Sequence, residues 1–393
     1  MLLINVIIRL SIDTFFMCFV QPLNAKNSMD QNSPFYQHVL TRVIKHYLRD
    51  LTNFEKSNPA YSLVSNLTWK YFFKSRAFIQ SHNIIELSQV EDVNDSEGVL
   101  ITVSCRPKIH DLIIFYVPNI PLFGSEPYFY VEYLTTLHSL LLLQGFDSPA
   151  IFINKFPEIC KESPLEYCLK VFIESLIKIV SENPNSKIVL MGDSLGATLI
   201  LNYLSIKNNV FVNDAFNDLN NMIVSKDNDL NPFAVLLISP IVNFSKNLED
   251  VRCSDYLGQS TINNYGSFYC TDISKEQFSA SNWKLVEMWN RIVPNGGMVI
   301  TFGDEELQSN EISEMCKIAF ETNRVKIVKK ANKGHCWPLM SFLTEETQDE
   351  KEDSCFLFAG MLSRMVLYQT ENYRDPERSH EPMNLLTIDD DHL

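Results

Sequence analysis

The chain has 393 residues, long enough to bury a large core, and its 46% hydrophobic and 21% charged residues are ordinary for a globular protein. Lys and Arg number 33 against 48 Asp and Glu, a net charge of −15, which opposes binding to a nucleic-acid backbone or an anionic lipid surface. This composition excludes a polytopic membrane protein, a collagen-like chain and wholesale disorder.

The first 25 residues are apolar but carry Asn5, Arg9 and Asp13, which weakens a spanning helix. Three readings stay open: a membrane-associated anchor segment, a cleaved signal ending near Ala25, and a packed or disordered start. An anchor would place the chain at the endoplasmic reticulum or another endomembrane, with the cytoplasm as the alternative. Sequons at Asn66, Asn94 and Asn243 do not decide the compartment. Helical spacing follows over Ser33–Lys56 and about Tyr61–Ser81, a candidate helical cap element.

The period then changes. Short apolar runs at Val99–Val103, Leu112–Val117, Ala150–Asn154, Lys187–Met191, Phe233–Ser239, Met298–Phe302 and Arg324–Lys329 suit strands buried on both faces. Helical patterns at Tyr130–Leu143, Pro164–Ser181 and Leu195–Ser205 lie between them. Strands alternating with helices predict an α/β fold with a mostly parallel central sheet flanked by helices. Lys207–Asn231 reads as a polar surface excursion, and Ser245–Gly297 as a second cap element. The domain is expected to run from about residue 33 to 370, with 372–393 an acidic flexible tail.

The sharpest chemical signal is KIVLMGDSLGATLILNYL. Gly192, Ser194 and Gly196 form G-x-S-x-G between a strand and a helix, the setting in which a serine hydroxyl is lifted above a sheet edge on a tight turn. The helix start then supplies free N–H groups beside a developing oxyanion, the Leu195 amide first. Serine needs a base. Of eight histidines, His335 follows the last strand pattern and is preceded by Gly334, so a loop can present it at the carboxyl edge of the sheet. The acid that fixes its tautomer is sought in Gly303-Asp304-Glu305-Glu306, after the strand Met298–Phe302. The residues alone leave Asp304, Glu305 and Glu306 open. No CxxC pair or Cys/His cluster at zinc spacing is present among the nine cysteines, and no metal or organic cofactor is expected.

The pieces MGDSLGA, LLISPIVNFS, VITFGDEELQSNEI and GHCWPLM, over about Asp111 to Leu339, resemble α/β-hydrolases, and more narrowly the hormone-sensitive-lipase-like branch with the fungal steryl acetyl hydrolases. The resemblance implies an α/β-hydrolase fold and a serine ester hydrolase that removes a small acyl group from an apolar alcohol such as a sterol acetate. It prefers Glu306 as the acid, with Asp304 from the alternative alignment. It also exposes a departure. Such enzymes carry His-Gly-Gly-Gly after the strand that here is Leu112–Val117, and this chain has Val117-Pro118-Asn119-Ile120. Proline has no N–H to donate, so the second oxyanion donor is sought at the backbone or side-chain N–H of Asn119, or in a rearranged turn near Gly124. The rival reading is a catalytically impaired lipid-binding protein; a peptidase or acyltransferase on the same fold is a third. The expected partner is a small apolar ester, without nucleic acid; the anchor reading of the N-terminal segment would add membrane association. Aromatics at Tyr128, Phe129, Tyr130, Tyr133, Tyr256, Tyr265, Phe268, Tyr269 and Trp283 are candidates for an apolar pocket, weighed against the more ordinary role of core.

Overall fold

The computed structural model describes residues 88–93, 98–103, 109–119, 127–156, 164–210, 217–224, 230–244, 255–269, 278–344, 348–367 and 386–388. The segment 1–25, the helices expected within 33–81, and the sequons at Asn66 and Asn94 lie outside the described residues.

Among the described residues, nine strands form one sheet. They are β1 (Ser88–Val93), β2 (Gly98–Val103), β3 (Leu112–Val117), β4 (Pro149–Asn154), β5 (Lys187–Asp193), β6 (Ala234–Ile238), β7 (Met298–Gly303), β8 (Val325–Lys330) and β9 (Leu386–Ile388). Their spatial order is β1-β2-β4-β3-β5-β6-β7-β8-β9. β1 pairs antiparallel with β2 and β2 antiparallel with β4; every other pairing is parallel. The seven strands expected from apolar runs are all present.

Two strands escape the apolar-run signal. β1 reads SQVEDV and lies at an edge, where only one neighbour is needed and charged residues are tolerated. β9 lies inside the stretch read as a mobile tail, yet Leu386–Ile388 pairs with Val328–Lys330 of β8. The rest of that stretch lies outside the described residues.

The alternation of strand side chains builds two cores. Ile113, Phe115 and Val117 of β3 enter one cluster with α2 (Pro164–Glu182), α3 (Leu195–Lys207) and α7 (Ser309–Phe320). Leu112, Ile114 and Tyr116 enter the other with α1 (Val131–Leu143), α8 (Trp337–Thr344) and α9 (Gln348–Val366). The sheet is therefore covered on both faces, as its continuous apolar runs require. Among the described residues, no helix is long and apolar enough to cross a membrane.

The two polar insertions are less detached than their composition implies. Lys207–Asn231 contains α4 (Asn217–Val224), whose Leu219 and Ile223 are buried in the core. The described part of Ser245–Gly297 contains α5 (Gln259–Tyr269) and α6 (Val286–Ile292). Its Leu257, Ile262, Phe278, Trp283 and Trp289 join the core on the α3 face.

Candidate active site

The residues expected to carry chemistry converge at the carboxyl edge of the parallel strands, with Ser194, Glu306 and His335 on the segments after β5, β7 and β8. This is where an α/β sheet leaves a crevice between its diverging loops. Ser194 follows β5 and takes φ 53° and ψ −120°, a conformation that costs a non-glycine residue of order 1–3 kcal/mol. Its own N–H is anchored to the Ile238 carbonyl at the end of β6, 2.9 Å away. The flanking glycines act by lacking a side chain. A Cβ on Gly196 would stand 2.0 Å from the Val117 carbonyl oxygen and 2.7 Å from that of Pro118. A Cβ on Gly192 would stand 2.9 Å from Val117 O. So α3 can start directly against the end of β3.

His335 lies on the loop between β8 and α8. Its Nε2 is 2.9 Å from Ser194 Oγ, and its Nδ1 is 3.2 Å from Glu306 Oε2. All three residues are buried. Glu306 Oε1 accepts from the Gly303 N–H and the Ser239 hydroxyl, each at 2.6 Å. The carboxylate at His335 is thus that of Glu306. Asp304, two residues earlier, donates its backbone N–H to the Lys330 carbonyl at the end of β8, 3.0 Å away, and Glu305 donates to Lys333. Those two backbone bonds splice the acid loop to the histidine loop. A Cβ on Gly303 would meet the Lys333 carbonyl oxygen at 2.0 Å, so this close approach also requires glycine.

A steryl acetyl hydrolase family model matches residues 63–345, more than two thirds of the chain. The chain belongs to the steryl acetyl hydrolase family. It is a carboxylic ester hydrolase. Solved structures agree on the fold. Carboxyl esterase 2 from the mycorrhizal fungus Tuber melanosporum superposes with a TM-score of 0.51 at 15% identity, covering 71% of this chain and 87% of that one. An esterase of Pyrobaculum calidifontis gives 0.53 at 14%, covering 77% and 93%. A thermostable esterase from Pseudomonas putida gives 0.52 at 12%, covering 82% and 96%. Identities this low establish the α/β-hydrolase architecture alone. No curated protein sequence matched the chain.

In the steryl acetyl hydrolase site the backbone of Asn119 is already engaged. Its backbone N–H already donates to Asp193 Oδ1 at 3.1 Å and to the Tyr130 hydroxyl oxygen at 3.0 Å. That amide is therefore turned to the Asp193 side and not offered as an oxyanion donor. Asp193, the variable residue before the serine, was not singled out by the motif. It is buried, and the Tyr116 hydroxyl donates to it at 2.8 Å. Tyr130 donates to its other oxygen at 3.4 Å. Burial pushes the Asp193 carboxyl up to about 7, against the opposing pull of these donors and of His335. Leu195 begins α3, so its N–H is among the amides that no earlier helical carbonyl can take.

Burial pulls the His335 imidazole down, but the Glu306 bond and charge, with the charges of Asp255 and Asp193, outweigh it and leave the net shift upward. Burial raises the Glu306 carboxyl, partly opposed by His335 and Ser239. Of the candidate pocket aromatics, Trp283 is core and packs on Trp289 at 5.7 Å, and Tyr130 and Tyr133 are buried in the α1 core. Tyr256 stands edge-on to His335 at 5.7 Å between centroids. The side chains of Tyr128, Tyr265, Phe268 and Tyr269 lie outside the described residues.

Sequence reasoning also missed Ser239. It has φ 47°, and its hydroxyl accepts from the Cys336 N–H at 2.9 Å while donating to Glu306. The Ser-Pro step inside LLISPIVNFS was a signal that something other than strand continued there.

Proposed function

We propose that the chain hydrolyses a small acyl ester of an apolar alcohol, a sterol acetate being the leading candidate, through Ser194, His335 and Glu306. The observation that carries this reading is the continuous line from Glu306 through His335 to Ser194, at 3.2 and 2.9 Å. His335 Nε2 takes the Ser194 hydroxyl proton as Oγ adds to the ester carbonyl carbon. The tetrahedral adduct collapses, the C–O bond to the alcohol breaks, and His335 returns the proton to the departing alkoxide. Water then adds to the acyl-serine, again giving its proton to His335, and the acid leaves with Ser194 restored. Glu306 holds the Nδ1–H tautomer and stabilises the imidazolium. The Leu195 N–H faces the oxyanion, and the side-chain amide of Asn119 is the remaining donor that residue can offer.

The test is fluorophosphonate labelling of the full chain beside Ser194→Ala, His335→Ala, Glu306→Gln and Asp304→Asn, followed by turnover of p-nitrophenyl acetate and of a sterol acetate. Labelling is expected in wild type and Asp304→Asn, absent in Ser194→Ala, and strongly slowed in His335→Ala and Glu306→Gln. A folded wild type that takes no label would overturn the serine mechanism and favour the lipid-binding reading. Cleavage of p-nitrophenyl acetate without any of the sterol ester would overturn the substrate.

A further inference from the structure

Ahead of α5, in the insertion after β6, lies a carboxylate with no place in the mechanism above. Asp255 is 1% exposed. Its Oδ2 accepts the N–H of Leu307, 2.8 Å away and adjacent to Glu306. Its Oδ1 accepts the N–H of His335 itself, at 3.3 Å, and that of Leu257 in its own loop at 3.3 Å. Gly334 runs against the same side chain, where a Cβ would lie 3.5 Å from Oδ1. One carboxylate thus ties three separate segments together: the acid loop, the histidine loop and the insertion.

Burying a carboxylate is costly unless something satisfies it. Charge-assisted bonds to backbone N–H groups are shorter and stronger than neutral ones and fix the backbone that donates them. Here the two fixed amides belong to, or adjoin, the two residues that must stay in register for proton transfer. A fully apolar core would have served stability without placing a third acid beside His335.

We propose, on the reading of Ser194, His335 and Glu306 given above, that Asp255 is a positioning residue of the ester hydrolysis, clamping the acid loop to the histidine loop and stabilising the imidazolium by its charge. It touches neither substrate nor the reacting atoms. It acts by holding Glu306 and His335 at bonding distance and by making protonated His335 less costly. It also makes the insertion part of the working site, because displacing the Asp255 segment releases both loops at once. Charge and geometry are separable. The groups facing His335 are Glu306 on the acid loop, Asp255 and Tyr256 on the insertion, Asp193 from β5 and Cys336 beside it. Asp255 and Asp193 both favour its proton, after the dominant opposing effect of burial and the larger help of Glu306.

The experiment compares Asp255→Asn and Asp255→Glu with wild type by the pH dependence of kcat/KM and by kcat and KM for p-nitrophenyl acetate, with thermal melts to establish folding. The asparagine keeps the shape but removes the charge and one acceptor. It is expected to lower kcat about tenfold or more with KM within about twofold, and to move the acidic limb to lower pH. The glutamate keeps the charge on a longer stem, so it is expected to lower kcat while leaving the acidic limb where wild type has it. Wild-type kcat together with a wild-type acidic limb in folded Asp255→Asn overturns the proposal, as does the same acidic limb in both variants. If Asp255→Asn does not fold, Asp255→Glu decides alone: reduced kcat with an unmoved limb supports the clamp, and wild-type kcat overturns it. Full activity in Ser194→Ala would instead sink the mechanism on which the clamp depends, an outcome separate from any result at Asp255.

Discussion

Ser239→Ala removes a single oxygen atom at the junction of the loops that carry Glu306 and His335, and its cost follows from the bonds that oxygen makes. The hydroxyl donates to Glu306 Oε1 at 2.6 Å and accepts from the Cys336 N–H at 2.9 Å, and Ser239 is fully buried. A bond to a charged acceptor contributes about 1.5–3 kcal/mol, and a buried N–H left without a partner costs about 1–3 kcal/mol. The two losses share one site and relax together, so the expected destabilisation is about 2–4 kcal/mol, a large share of the ~5–15 kcal/mol typical of a domain. Ser341→Ala is the control. That hydroxyl is also buried, but it only donates back to the Trp337 carbonyl one helical turn earlier, at 2.7 Å, so removing it orphans no N–H and should cost under about 1 kcal/mol. Urea unfolding followed by tryptophan fluorescence reads both, since Trp283, Trp289 and Trp337 are buried. Glu306 keeps Gly303 and His335 after the change, so kcat should fall about tenfold but less than the ~100-fold that a 1 Å misplacement costs. Equal stability losses in the two alanine variants, with kcat of Ser239→Ala unchanged, would refute the assignment of Ser239 as the link between the loops.

Glycine-to-alanine substitution should have opposite signs at two positions. Gly196→Ala must push the start of α3 off two backbone carbonyls, one at 2.0 Å from the new Cβ, so it is expected to destabilise by ~3 kcal/mol or more and to abolish fluorophosphonate labelling. Gly360→Ala, within α9 and with nothing within 4 Å of its Cβ, should gain about 0.5–1 kcal/mol; chemical denaturation measures both. In the proposed mechanism His335 must be neutral to accept the serine proton, and its net shift is upward. The acidic limb of kcat/KM should therefore lie above the ordinary imidazole value of about 6.5, with activity lost as pH falls through it. A limb below that value would mean that burial outweighs the surrounding carboxylates.

Sequence by itself determined the strands that are buried on both faces, because a continuous apolar run such as LIIFYV in β3 has no other use at that length. It also determined the tight turn at Ser194, because Gly192 and Gly196 flank a serine between a strand and a helix, and the close backbone approach there admits no side chain. His335 was legible from chain order and its place after the last apolar run.

Only the tertiary structure placed Glu306, and not Asp304, beside His335. Three consecutive acids have the same chemistry, and which one reaches His335 depends on how the loop after β7 is pinned by Gly303, Ser239 and Lys333. It also decided the fate of Asn119, whose N–H faces a carboxylate 74 residues later in the chain. β1 and β9 owe their strand state to a neighbour and not to their own pattern: SQVEDV is too polar and the three residues LTI too short to show a period. Asp255 and Ser239 belong to the same class. A polar residue in a polar insertion or at a strand end carries no local sign of its partners, because those partners are backbone amides from distant segments. Backbone donors are the same at every position in a sequence, so only folding can say which of them meet.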